Sequence, residues 1–196
     1  MRNLPFFTMA LEFLALVATR LSVQLRDDLR SNKVVLDDHT LELKKEISGG
    51  STIDLMDAQT ERIDGICSFD KNRLQSGRGF IFDQIALNYA THATDSGLEG
   101  SIEYNTKAPK ELQNALLIIS QDGRDVLRLP VRDVHNIQTG RTSIDEYKQL
   151  KSLRYLVDER QIEIKIKFPP TVVLDNTKKH YVYLRLNGVQ TTKKVD

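Results

Sequence analysis

Between residues 161 and 168 apolar and charged positions alternate without a break. Ile162, Ile164, Ile166 and Phe168 fall on one side, and Glu163, Lys165 and Lys167 on the other. A strand turns successive side chains to opposite faces, so a period of two predicts a strand with one face in a core. Pro169 and Pro170 end it, because proline has no N–H for a ladder. Residues 181–187 repeat the pattern, with Val182, Leu184 and Leu186 inward and Tyr183 and Arg185 outward. Residues 80–89 do so with one slip: Phe80 and Phe82 share a phase, then Ile85, Leu87 and Tyr89 take the other. The slip at Asp83-Gln84 predicts a β-bulge. Leu117-Ile118-Ile119, then Asp122-Gly123, then Val126 to Leu129 predict a hairpin, since Asp-Gly suits the positive φ angles of a type I′ turn. Residues 63–69 and 100–104 read as shorter strands. Many short one-sided strands predict an antiparallel sandwich or barrel, not a parallel α/β sheet.

Two stretches follow a helical rhythm instead. From Leu4 to Arg30, Phe7, Leu11, Leu14, Ala18, Leu21, Leu25 and Leu29 recur every three or four residues, and Pro5 suits a first turn. The first half is apolar nearly all round, so it must bury against its own domain or a neighbouring subunit. The candidate assembly interface is therefore Phe6, Phe7, Leu11, Phe13, Leu14, Val17, Leu21 and Leu25. Further on, Ser143-Ile144-Asp145-Glu146 has the form of a capping box. It predicts one short helix between strands, ending near Leu153, with Lys148, Lys151 and Arg154 on a solvated face. Residues 31–60 read as a connector in which Val34-Val35-Leu36 and Leu41-Glu42-Leu43 are short extended pieces. Ser48-Gly49-Gly50-Ser51 punctuates it. The expected division is an N-terminal helical arm and linker over 1–50 and a single β-sandwich domain over 51–196.

Composition narrows the function classes. The chain has 196 residues, 40% hydrophobic and 28% charged, with a net charge of +1. So balanced a charge supplies no overall field for nucleic acid or an anionic membrane. The apolar run after Arg2 is interrupted by Glu12, and Ala18-Thr19-Arg20 is a poor cleavage site, so no signal peptide is expected. The run is also too short between charges to span a bilayer, although contact with a membrane surface without spanning remains open. The one cysteine, Cys67, cannot form an internal disulfide and reads as a buried small residue.

Motifs that carry chemistry are sparse. His39, His92, His135 and His180 lie far apart, with no metal-ligand spacing. Asp37-Asp38-His39 reads as a loop with solvated charges. There is no nucleophile elbow and no phosphate loop, and Gly77-Arg78-Gly79 reads as room for a close backbone approach. No catalytic residue, metal ligand or cofactor is assigned, and no enzyme activity is expected. Without tryptophan, sugar stacking would fall to Tyr89, Tyr104, Tyr181 or Tyr183, which read first as ordinary strand residues.

One resemblance arises from the strand rhythm. The run from Arg78 through Phe80, Phe82 and Ile85 to Tyr89 is followed by Leu112 to Ile119, by Val126 to Val131 and by the alternating strand at 161–168. This resembles the jelly-roll capsid proteins of small icosahedral bacteriophages, some of which contain a membrane. The resemblance covers roughly residues 60–187 and implies a mainly β, antiparallel jelly-roll-like sandwich. Because the chain is long enough for one roll and not two, it implies a capsid or minor virion subunit, located in the virion and in the host cytoplasm during assembly. Its partners would be itself, as a homo-oligomer, and other virion proteins, through the N-terminal arm. Two other functions stand beside it: an adhesin-like sandwich that binds a glycan or receptor, and a glycosidase working with two carboxylates.

Overall fold

The computed structural model describes residues 4–136 and 146–194. Helix α1 spans Leu4–Leu16, a 3-10 turn follows at Ala18–Arg20, and α2 spans Val23–Arg30. The strands are β1 (Val34–Ile47), β2 (Thr52–Asp54), β3 (Phe80–His92), β4 (Leu116–Gln121), β5 (Arg124–Pro130), β6 (Lys148–Leu156), β7 (Ile162–Lys167) and β8 (Lys179–Lys193). Short helices α3 (Lys110–Gln113) and α4 (Val131–Val134) flank the β4–β5 hairpin. All strand pairings are antiparallel and form two four-stranded sheets, β1-β8-β3-β6 and β2-β7-β4-β5. The expected mainly β, antiparallel two-sheet class is therefore present.

The inner faces of the two sheets meet in one apolar core. Leu41 and Leu43 of β1, Phe80, Phe82, Ile85 and Leu87 of β3, and Val182, Leu184 and Leu186 of β8 face one way. Leu117 and Ile119 of β4 and Ile162, Ile164 and Ile166 of β7 face them. Fully burying a side chain of this size is worth about 1.5–3 kcal/mol before entropy costs. The β4–β5 hairpin turns at Asp122 (φ 51°) and Gly123 (φ 73°), the two positive angles a type I′ turn needs. The phase slip in β3 is a register shift between Phe82 and Gln84 against both neighbours. Gly188 lies opposite it, where a Cβ would run into the backbone of Ile81 and Phe82.

Four local expectations change. Residues 63–69 form no strand, only isolated bridges at Ile63 and Cys67. Residues 148–156 form strand β6 on the edge of the first sheet, paired to β3, and not the later part of a helix. Ser143, Ile144 and Asp145 of the supposed capping box lie outside the described residues. Residues 100–104 form no strand: they belong to the loop between β3 and α3. Residues 34–47, read as two extended scraps in a connector, form one strand that pairs with β8 from Val34↔Lys193 to Ile47↔His180. Asp37, Asp38 and His39 are thus strand residues. The His39 ring sits edge-on to Phe80, 6.2 Å between centroids.

Candidate functional site

The outer face of the first sheet carries a third layer. α1 and α2 lie across one half of it, with Ala10, Leu14, Leu21 and Leu25 buried against Ile81, Val157 and Val189. Phe6, Phe7, Phe13 and Val17 pack partly buried around the same cluster, beside Val34, Leu36, Leu153 and Tyr155. Phe13 meets the Tyr155 ring edge-on at 5.5 Å. Arg20 donates to the Tyr155 hydroxyl at 3.0 Å.

A polar clasp fixes the layer. Ser22 caps α2 by accepting from the Leu25 N–H at 3.2 Å. Its hydroxyl also donates to Oδ2 of Asp158 at 2.8 Å, and the Gly77 N–H donates to the same oxygen at 2.7 Å. Asp158 is fully buried. Gly79 allows Leu25 to close in, since a Cβ there would come within 2.9 Å of Leu25 Cδ2.

This arrangement sorts the eight candidate interface residues. Leu14, Leu21 and Leu25 are buried on the chain's own sheet, and Phe6, Phe7, Phe13 and Val17 are partly so. Leu11 points outward, 53% exposed. Met9 (50% exposed) and Leu16 (82%) are exposed as well, on the other flank of the helix from Leu11, and neither is among the eight candidates. Glu12 is the one charged side chain in α1. The helix is thus apolar on both sides, with one side covered by its own sheet and the other in water. The signal for Met9 and Leu16 was the scarcity of polar positions in α1, where only Thr8 and Glu12 are polar. Periodicity alone did not say which side would be left over.

Next to α1 a groove of about 610 Å³ runs toward β5 and β6. Phe13, Val17, Val126, Leu153 and Tyr155 supply apolar lining, and Arg154 and Arg124 stand at its rim. Among the described residues β5 and β6 each pair on one side only, as the edge strands of the two sheets. Edge lysines such as Lys148 and Lys151 discourage indiscriminate strand pairing there.

Groups with chemical potential lie elsewhere. Cys67 is buried and free, its thiol donates to the Phe69 carbonyl at 3.5 Å, and burial pushes its pKa up. Burial holds His39 below the ordinary histidine value, helped by the charges of Arg78 and Arg62. Tyr89 is buried with its hydroxyl 2.5 Å from His180 Nδ1, and the buried Tyr181 donates to the Asp95 carbonyl at 2.6 Å. Among the described residues no three His, Cys, Asp or Glu side chains gather as a metal site, and no helix is long and apolar enough to cross a membrane. Comparison with protein-family models and with curated proteins yields no match for this chain.

Proposed function

We propose that this chain is a structural subunit of a virus particle, a single jelly roll that holds its neighbours through the outward side of α1. The observation that carries the assembly reading is the helix itself. Met9, Leu11 and Leu16 stay in water on an element whose opposite side is already covered. Large apolar side chains left in water on both flanks of one helix are surface that a neighbouring subunit can cover. Covering Leu16 contributes about 1.5–3 kcal/mol before ordering costs, and the half-exposed Met9 and Leu11 about half as much each. A closed shell repeats one contact many times, so a modest patch is enough.

The pairing scheme supports the jelly-roll reading. β1 pairs with β8, β2 with β7, β3 with β6, and β4 with β5. That is one long antiparallel hairpin folded at β4–β5. Wrapping it brings β8 beside β3 and β7 beside β4. Eight strands in two sheets joined this way make two Greek keys, an architecture used by capsid and lectin domains. The fold alone does not fix a function, so the virion role rests on the exposed helix together with the strand rhythm.

Light scattering on a sizing column tests it, comparing the full chain with a Leu11→Glu, Leu16→Glu variant. Both substitutions lie on the solvent side and leave the buried side of α1 intact. The full chain is expected to run as an oligomer and the variant as a folded monomer with an unchanged circular dichroism spectrum. A full chain that is monomeric at every concentration ends the assembly reading.

A further inference from the structure

The half of the first sheet's outer face that the helices leave open holds a cleft of about 440 Å³. That size falls in the range of small-molecule sites, about 300–1,000 Å³. Among the described residues no aliphatic side chain lines it. Tyr183 and Arg185 of β8 and Asn88 of β3 form its floor, and Glu103, Tyr104 and Asn105 of the β3–α3 loop form one wall. Glu146 stands on the other side.

These groups are held in place. Arg185 donates to Glu146 Oε2 and to Asn88 Oδ1, each at 2.9 Å, and its guanidinium lies 5.1 Å from the Tyr183 ring centre and 4.9 Å from that of Tyr147. Asn88 in turn donates to the Asn136 carbonyl at 2.9 Å. Tyr183 donates to Glu42 Oε2 at 2.7 Å. Lys44 Nζ sits 4.7 Å from the centre of the Tyr183 ring and 5.9 Å from that of Tyr104. The rings of Tyr104 and Tyr183 meet at 5.3 Å and 51°. Tyr104 donates to the Glu99 carbonyl at 3.0 Å, and the Thr106 N–H to the Tyr89 carbonyl at 3.0 Å, which pins the wall to the sheet. Asn105 donates to Glu103 Oε2 at 2.9 Å.

We infer that this cleft binds a neutral pyranose ring of a saccharide. A sugar ring offers a patch of C–H groups on its face and a rim of hydroxyls that both donate and accept. The Tyr104 ring matches the first. The carboxylates of Glu103 and Glu146 and the amide of Asn105 match the second, since a carboxylate only accepts and an amide does both. Charge selects within the class. Among the described lining residues the carboxylates Glu103 and Glu146 outnumber the one cation, Arg185, which is already shared between Glu146 and Asn88. The lining therefore disfavours an acidic sugar over a neutral one, with Lys44 beside the tyrosine rings working the other way. Strands supply the floor, so Asn88, Tyr183 and Arg185 are fixed before a ligand arrives. This site is separate from the assembly face on α1 and does not depend on that reading.

Saturation-transfer NMR on the full chain tests the assignment, with neutral hexoses and N-acetylhexosamines as probes and sialic acid as the charged arm. Transfer is expected from at least one neutral sugar and not from sialic acid. Tyr104→Ala should weaken it about ten-fold or more, and so should the exposed pair Glu103→Ala, Asn105→Ala, which leaves the sheet untouched. No transfer from any neutral probe, transfer favouring sialic acid, or transfer that survives the exposed pair would overturn the assignment. The aromatic and charged ladder would then serve only to tie β1, β8 and β3 together.

Discussion

His135 shows how a single half-buried ring makes the fold sensitive to acid. Its Nε2 accepts from the Ala108 N–H at 3.0 Å, while Nδ1 lies 3.1 Å from the Leu87 carbonyl. Only the neutral ring with its proton on Nδ1 serves both, donating at one end and accepting at the other. A second proton would set one donor against another. Burial lowers the His135 pKa below 6.5, and the charge of Lys107 adds to this, while the bond to Leu87 works against it. His39 is lowered too, first by burial. In the unfolded chain both rings take up protons as pH falls through the ordinary value of 6.5. The folded chain takes them up later, so it binds fewer protons in that window and loses stability as pH drops. The lowered carboxylate Glu46, whose ordinary value is 4.5, acts only in more acid solution. Denaturant midpoints followed from neutral pH to about pH 5 should therefore fall below pH 6.5. In His135→Gln the fall should be shallower. A midpoint flat across this window would mean that the rings titrate alike in both states.

At the scale of elements, the join between α2 and the sandwich rests on one carboxylate. Asp158 holds the Ser22 hydroxyl and the Gly77 N–H through the same oxygen, in a fully buried site. Replacing it with alanine strands both donors, at about 1.5–3 kcal/mol for bonds to a charged group. The loss should be local. Native-state hydrogen exchange of Asp158→Ala is expected to show faster exchange in α1 and α2, with β4 and β7 as protected as before. Equal loss across the molecule would mean that the helices and the sandwich unfold as one unit. The same layer explains what was legible in the sequence. β7 could be read directly, because one face is core and the other is water. β6 could not. Leu150 and Leu156 pack toward the core, while Leu153 and Tyr155 lie under the helices. Apolar residues on both faces erase the period of two, and Leu150, Leu153 and Leu156 imitate a helical stripe. β1 misleads in a related way. Val34 and Leu36 lie under the helices, Leu41 and Leu43 in the core, and polar residues fill the gap between. One strand therefore read as two fragments out of phase. For α1 the helix itself was plain, but its sequence holds too few polar positions to say which side would stay wet.

At the scale of the whole molecule, the first and last strands meet. β1 and β8 pair over fourteen residues of β1, from Val34 to Ile47, although most of the sequence lies between them. Period tells which way a side chain faces but not which strand lies alongside, so this partnership was beyond the sequence reading. It bears on where the chain can be cut. A cut before Val34 removes the helical layer and leaves all eight strands, while uncovering Ile81, Val189 and Tyr155. That product should keep its strand spectrum and a cooperative melt, and should associate through the bared face. A cut near Ser51 also removes β1, and with it Leu41, Leu43 and Ile47 from the core and every hydrogen bond on one side of β8. β8 would become a long open edge, the kind of surface that pairs with other chains. Circular dichroism and light scattering on the two products should separate them, the longer one folded and the shorter one aggregated or unfolded. If the shorter chain melts cooperatively with the same spectrum, β8 is held by β3 and the loops alone, and β1 is an added edge and not a structural strand of the sandwich.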